Sequence, residues 1–124
     1  TLNESNQLDP YQFEKLCSDI LSKAGWKSRT TKGSGDQGVD VIAEKCNVKL
    51  AIQCKLYSND VTNKAVQEVF AGSRFYQCNA AIVVTNSDFS VSARQLANST
   101  NVYLVTVDQL ETLANRIYQT MIVE

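Results

Sequence analysis

At 124 residues, 44% of them hydrophobic and 20% charged, the chain is expected to fold as one domain with a sizeable core. A formal net charge of −1 argues against holding nucleic acid by bulk positive charge, and the lack of any histidine excludes histidine-based nucleases and Ser-His-Asp hydrolases. No apolar run approaches a membrane span and no signal-peptide pattern opens the chain, so a cytoplasmic location is expected.

Residues 1–8 are polar, lack an initiator Met and read as a linker, which makes the chain an expected piece of a longer protein with its folded domain over residues 9–124. Asp9-Pro10 then starts a helix, with the carboxylate at the N-cap and the fixed φ of Pro at the first helical position. Phe13, Leu16, Cys17, Ile20, Leu21 and Ala24 follow at helical spacing, and Gly25 ends the run. Residues 26–31 read as a strand. The glycine-rich Lys32-Gly33-Ser34-Gly35-Asp36-Gln37 leads into a second strand that opens Gly38-Val39-Asp40-Val41-Ile42.

A turn at Cys46-Asn47 pairs Lys45 with Val48 and sends back a third strand, Leu50-Ala51-Ile52-Gln53-Cys54-Lys55. Alternation puts Leu50, Ile52 and Cys54 on one face and Gln53 and Lys55 on the other. The same register sets Asp40 opposite Gln53. Residues 61–76 then carry Val66, Val69, Phe70 and Phe75 in a helical pattern. The continuous apolar run at residues 80–85 reads as a strand buried on both faces. Residues 90–98 form a short helix and residues 102–107 another buried strand, after which Asp108 is expected to cap a last helix reaching roughly to Met121. The order αβββαβαβα predicts an α/β fold: a mixed sheet of about five strands, hairpins first and crossovers after, with helices on both faces.

Asp40, Gln53 and Lys55 therefore converge beside the apolar Ile42 and Ala51. A carboxylate, an amide oxygen and an ammonium at one point can hold a divalent metal and steer a water, which is the chemistry of phosphodiester hydrolysis. Glu14, at the margin of the first helix's apolar stripe, would add the second carboxylate that a Mg²⁺ site commonly uses. Four further residues are candidate DNA contacts. Lys32 and Ser34 lie in a loop whose backbone N–H groups can approach a phosphate, although its spacing is that of no P-loop and a flexible connector is the better reading. Lys64 and Gln67 begin the second helix, where a phosphate oxygen or plain solvent would both fit. Between residues 25 and 79 there are eight Lys or Arg against five Asp or Glu, so the base surrounds the motif while each flank is acidic. The four cysteines, Cys17, Cys46, Cys54 and Cys78, contain no Cys-x-x-Cys pair and fit a reducing compartment.

The Asp9-Pro10 helix ending in Gly25-Trp26, then Gly33-Ser34-Gly35-Asp36-Gln37-Gly38-Val39-Asp40, then Gln53-Cys54-Lys55, closely resembles the nuclease domain of Mrr-like type IV restriction endonucleases, within the PD-(D/E)xK superfamily. The resemblance extends over residues 61–70, 81–86 and 93–97. It implies a restriction-endonuclease-like fold and a Mg²⁺-dependent endodeoxyribonuclease in which Mn²⁺ substitutes. Asp40 would be the principal metal ligand with Glu14 assisting, Gln53 would offer its amide oxygen, and Lys55 would orient the water and stabilise charge on the phosphate. The superfamily usually has a carboxylate where this chain has Gln53, and Gln is typical of the Mrr-like branch. Implied partners are double-stranded DNA, a second copy of the chain for cutting both strands, and a specificity domain outside it. Two other readings stay open: a Holliday-junction or flap nuclease, and a non-catalytic DNA-binding or assembly module.

Overall fold

Asp9 and Gln12 exchange hydrogen bonds at the head of the first helix: the Gln12 amide N–H donates to Asp9 Oδ1 (2.8 Å) and the Asp9 N–H donates to Gln12 Oε1 (3.0 Å). This reciprocal cap satisfies two of the backbone donors that a helix start leaves open. The computed structural model describes residues 8–31 and 37–123, so most of the linker expected at residues 1–8 and the loop residues Lys32, Gly33, Ser34, Gly35 and Asp36 lie outside the described residues. The elements are α1 (Pro10–Lys23), β1 (Lys27–Thr30), β2 (Val41–Lys45), β3 (Val48–Lys55), α2 (Asn63–Phe75), β4 (Ala80–Thr85), α3 (Val91–Thr100), β5 (Tyr103–Thr106), a 3₁₀ turn (Val107–Gln109) and α4 (Leu110–Val123).

The five strands form one mixed sheet in the order β1-β2-β3-β4-β5. The β1–β2 and β2–β3 pairs are antiparallel, and the β3–β4 and β4–β5 pairs are parallel. Lys45 pairs with Val48 and Val41 with Ile52, the register expected from the Cys46-Asn47 turn. Cys46 takes a φ of 53°, the left-handed conformation that such a two-residue turn requires.

Alternation along the strands feeds two cores. On one face Leu50 and Ile52 pack with Phe13, Cys17 and Leu21 of α1 and with Leu110, Ala114 and Ile117 at α4. On the other, Ile42, Ala51 and Val83 pack with Val66 and Val69 of α2 and Ala93 and Ala97 of α3. Each fully buried Leu, Ile or Phe contributes about 1.5–3 kcal/mol relative to exposure, so the register is fixed by both cores at once. All six residues of β4 are buried, as the apolar run predicts.

Two expectations need correction. β5 is not buried on both faces: it is the sheet edge, and Tyr103 is 41% exposed. Asp108 does not cap the last helix. Thr106 stands at the N-cap of the preceding 3₁₀ turn and exchanges hydrogen bonds with Gln109, and Asp108 lies inside that turn. Phe75 closes α2 as the helical pattern predicts; it is 63% exposed, with its ring edge-on to Tyr76.

Candidate active site

Asp40 precedes β2 directly, and backbone pairing holds it from both sides. Its N–H donates to the Ile52 carbonyl (2.8 Å), and its carbonyl accepts from the Thr31 N–H (2.9 Å). The Thr31 hydroxyl also donates to the Val39 carbonyl. The β2–β3 register carried one residue past Val41–Ile52 sets Asp40 beside Gln53. The carboxylate then takes a further contact from β3: Oδ2 accepts the Cys54 N–H at 2.8 Å. A charged acceptor on a backbone donor makes a short, strong bond, and here it ties the start of β2 to the end of β3.

Lys55 is the last residue of β3, and its carbonyl accepts from the Thr85 hydroxyl at 2.7 Å. The chain beyond is held by the Tyr57 N–H, which donates to Asn86 Oδ1 (2.8 Å). The site thus sits at the carboxyl end of a strand paired in parallel with β4, the usual place for ligands in open α/β sheets.

Glu14, Asp40, Gln53 and Lys55 line one open cleft of about 560 Å³, together with Gln37, Gly38, Tyr57 and Glu68. The four residues expected to carry chemistry are therefore brought together, including Glu14, which reaches the cleft from α1 on the far side of the sheet. Lys64 and Gln67 are exposed on α2 and do not line this cleft; Lys32 and Ser34 lie outside the described residues.

Glu68 is the residue that sequence reasoning missed. Gln53 Nε2 donates to Glu68 Oε1 at 3.0 Å, and Lys55 Nζ lies 3.8 Å from the same oxygen. A signal for it was present: Glu68 follows Ala65 by three and precedes Gly72 by four, on the face that α2 turns to the sheet. Gln53 is 4% exposed, and its Oε1 is enclosed with no hydrogen-bond partner among the described residues. Leaving a buried acceptor unpaired costs about 1–3 kcal/mol.

That unpaired oxygen is where the residues fit a cation. Among the described residues no three His, Cys, Asp or Glu side chains gather as a cation cage. The donors here are mixed: the Asp40 and Glu14 carboxylates and the Gln53 carbonyl oxygen. This all-oxygen set suits a hard divalent cation.

Cys54, between Gln53 and Lys55, is no rival for the chemistry. A hydrogen bond with Cys17 pushes its thiol well above the usual range, burial pushes it further, and electrostatic interaction with Cys17, Asp40 and Glu14 adds to the shift. A thiol held protonated is a poor nucleophile.

Comparison with known proteins gives the family and the fold. The family Mrr_cat, restriction endonuclease, matches residues 5–114. No curated protein sequence matches the chain. Among solved structures, the protein of unknown function AF1548 is similar with a TM-score of 0.66 at 20% identity, over 79% of this chain and 58% of that one. The MspJI restriction endonuclease, solved with a 27-mer oligonucleotide, is similar at 0.58 and 22% identity, over 88% of this chain and 28% of its own. The DNA modification-dependent restriction endonuclease AspBHI gives 0.57 and 20% identity, over 89% and 32%. The chain thus spans just over half of the first of these proteins and about a third or less of the other two.

Proposed function

The chain belongs to the Mrr catalytic family of restriction endonucleases and is a nuclease domain, and from that premise we propose that it hydrolyses phosphodiester bonds of double-stranded DNA, with Mg²⁺ or Mn²⁺, at the cleft of Asp40, Gln53 and Lys55. The observation that carries this reading is the meeting of two carboxylates, a lysine and a buried, unpaired amide oxygen at the end of one strand. Asp40, Glu14 and the Gln53 carbonyl oxygen are the groups that would hold the cation. When bound, it supplies positive charge to the phosphate and makes a water more acidic.

The chain's own residues do the rest. Lys55, three-quarters buried, places its ammonium where negative charge grows on the phosphate and where an attacking water is oriented. The water oxygen bonds phosphorus as it loses a proton, and the leaving sugar oxygen gains one as its P–O bond breaks. Tyr57, whose ring centroid lies 5.9 Å from Lys55 Nζ, walls the cleft on the side of the Asn86 loop. We place this chemistry in the cleavage module of a modification-dependent restriction enzyme acting in the cytoplasm, with DNA selection in another domain and a second copy cutting the opposite strand. The larger size of MspJI and AspBHI supports a modular reading. Among the described residues no helix is long and apolar enough to cross a membrane.

The test is nicking of supercoiled plasmid in Mg²⁺ or Mn²⁺ by the wild type and by Lys55→Ala. Wild-type nicking that EDTA abolishes, reduced on the order of a hundredfold or more in the variant, is the expected result. Equal nicking by both proteins would sink the site. A wild type that binds DNA and metal without cutting would favour a non-catalytic module.

A further inference from the structure

Gln53 stands where a carboxylate would give a cation a formal charge, and an amide alone is a poor choice for the position because it has two ends. Turned one way it offers an oxygen; turned the other it presents an N–H₂ group that repels a cation. Something must set the orientation. A carboxylate is an acceptor only, so an oxygen of Glu68 at 3.0 Å is compatible with the N–H₂ end of Gln53 and not with its carbonyl.

We propose that Glu68 is the positioning residue of this site: its carboxylate holds the Gln53 amide nitrogen, reserves the Gln53 carbonyl oxygen for the cation, and anchors the Lys55 ammonium from the same oxygen. The inference rests on the reading of the cleft as a metal-dependent nuclease site and adds a residue to it. A second carboxylate at position 53 would face Glu68 at hydrogen-bond distance and repel it. Gln53 and Glu68 therefore form a matched pair, an amide donor facing a carboxylate acceptor.

The backbone independently fixes the place of Glu68. A Cβ built on Gly38 would lie 2.5 Å from the Glu68 carbonyl oxygen and 2.9 Å from its carbonyl carbon. The turn of α2 that carries Glu68 is thus seated directly against the chain two residues before Asp40. Glu68 is held by main-chain contact at one end and meets Gln53 and Lys55 at the other. The hydrogen bonds that orient metal ligands from behind commonly govern affinity by tenfold to a hundredfold.

Calorimetric titration of the metal-free chain with Mn²⁺ tests this without relying on cleavage. Glu68→Ala is expected to weaken binding by about tenfold to a hundredfold. Glu68→Gln, which keeps an oxygen for the Gln53 amide, is expected to stay within about threefold of wild type, on the scale of a single neutral hydrogen bond. Melting curves taken alongside identify the folded fraction. If Asp40→Ala loses Mn²⁺ while Glu68→Ala keeps it, the positioning role is overturned and the nuclease reading stands. If Glu68→Gln falls as far as Glu68→Ala, charge rather than orientation is responsible, and the role is again overturned. If the wild type itself takes no Mn²⁺, the metal reading and this inference fail together.

Discussion

Asp40→Asn is expected to abolish metal-stimulated nicking while leaving the fold almost intact. The asparagine oxygen can still accept the Cys54 N–H that Oδ2 of Asp40 accepts at 2.8 Å, so the tie between β2 and β3 survives. What disappears is the negative charge. A metal-dependent transition state draws several kcal/mol from its cation, and each ~1.4 kcal/mol is a factor of ten, so the loss in rate should reach about a thousandfold or more. Asp40→Ala should lose the same activity and stability as well, because the Cys54 N–H is left without its acceptor at a cost of about 1–3 kcal/mol. The comparison separates the two roles of one carboxylate. Thermal melting with and without Mg²⁺ gives the second readout. Wild type should gain about 2.7 kcal/mol at a hundredfold excess over Kd, and Asp40→Asn almost nothing. An asparagine variant that nicks within tenfold of wild type would remove Asp40 from the centre of the site.

Why Asp40 was legible in the sequence, and Glu68 was not, follows from how each is positioned. A two-residue turn and period-two alternation fix a hairpin register arithmetically, so Asp40 beside Gln53, and Lys55 on the same face, can be counted out from Cys46-Asn47. Helical spacing puts Glu68 on the inner face of α2, but which strand residue it meets is decided only when α2 packs across the sheet, a contact between residues fifteen apart. Glu14 lies between these cases. Helical spacing puts it at the margin of the α1 stripe, but its meeting with Asp40 in one cleft depends on α1 reaching the carboxyl end of β3 from the opposite face. The two misread elements fail for a similar reason. The apolar β5 sequence suits an edge strand as well as a central one until the strand order is known. Asp108 makes a plausible cap until Thr106 and Gln109 form theirs two residues earlier.

Gly38→Ala should be the most damaging single-methyl change near the site, and its cost can be built from two parts. Gly38 has a φ of 80°, in the left-handed region, where an L-residue costs roughly 1–2 kcal/mol. The added Cβ would also meet the Glu68 carbonyl oxygen at 2.5 Å, and that atom is helix backbone that can yield only by moving α2. Overpacking of this kind adds about 1–3 kcal/mol. The sum, about 2–5 kcal/mol, is a large part of the 5–15 kcal/mol that usually separates folded from unfolded chains. At this length each kcal/mol moves Tm by roughly 3–5 °C, so a fall of about 10 °C or more is expected. Gly72→Ala tests the same contact with the opposite prior. Glycine to alanine inside a helix normally gains about 1 kcal/mol. Here a Cβ would strike the Gln37 carbonyl oxygen and reach 2.6 Å from Val39 Cγ2, so the sign should reverse. Both variants push α2 away from the loop exit that delivers Asp40, and with it Glu68 away from Gln53. Nicking should therefore fall further than the folded fraction alone explains. A Gly38→Ala protein that melts within about 1 kcal/mol of wild type, below even the backbone cost alone, would show that this seat is loose and that α2 does not set the geometry of the cleft.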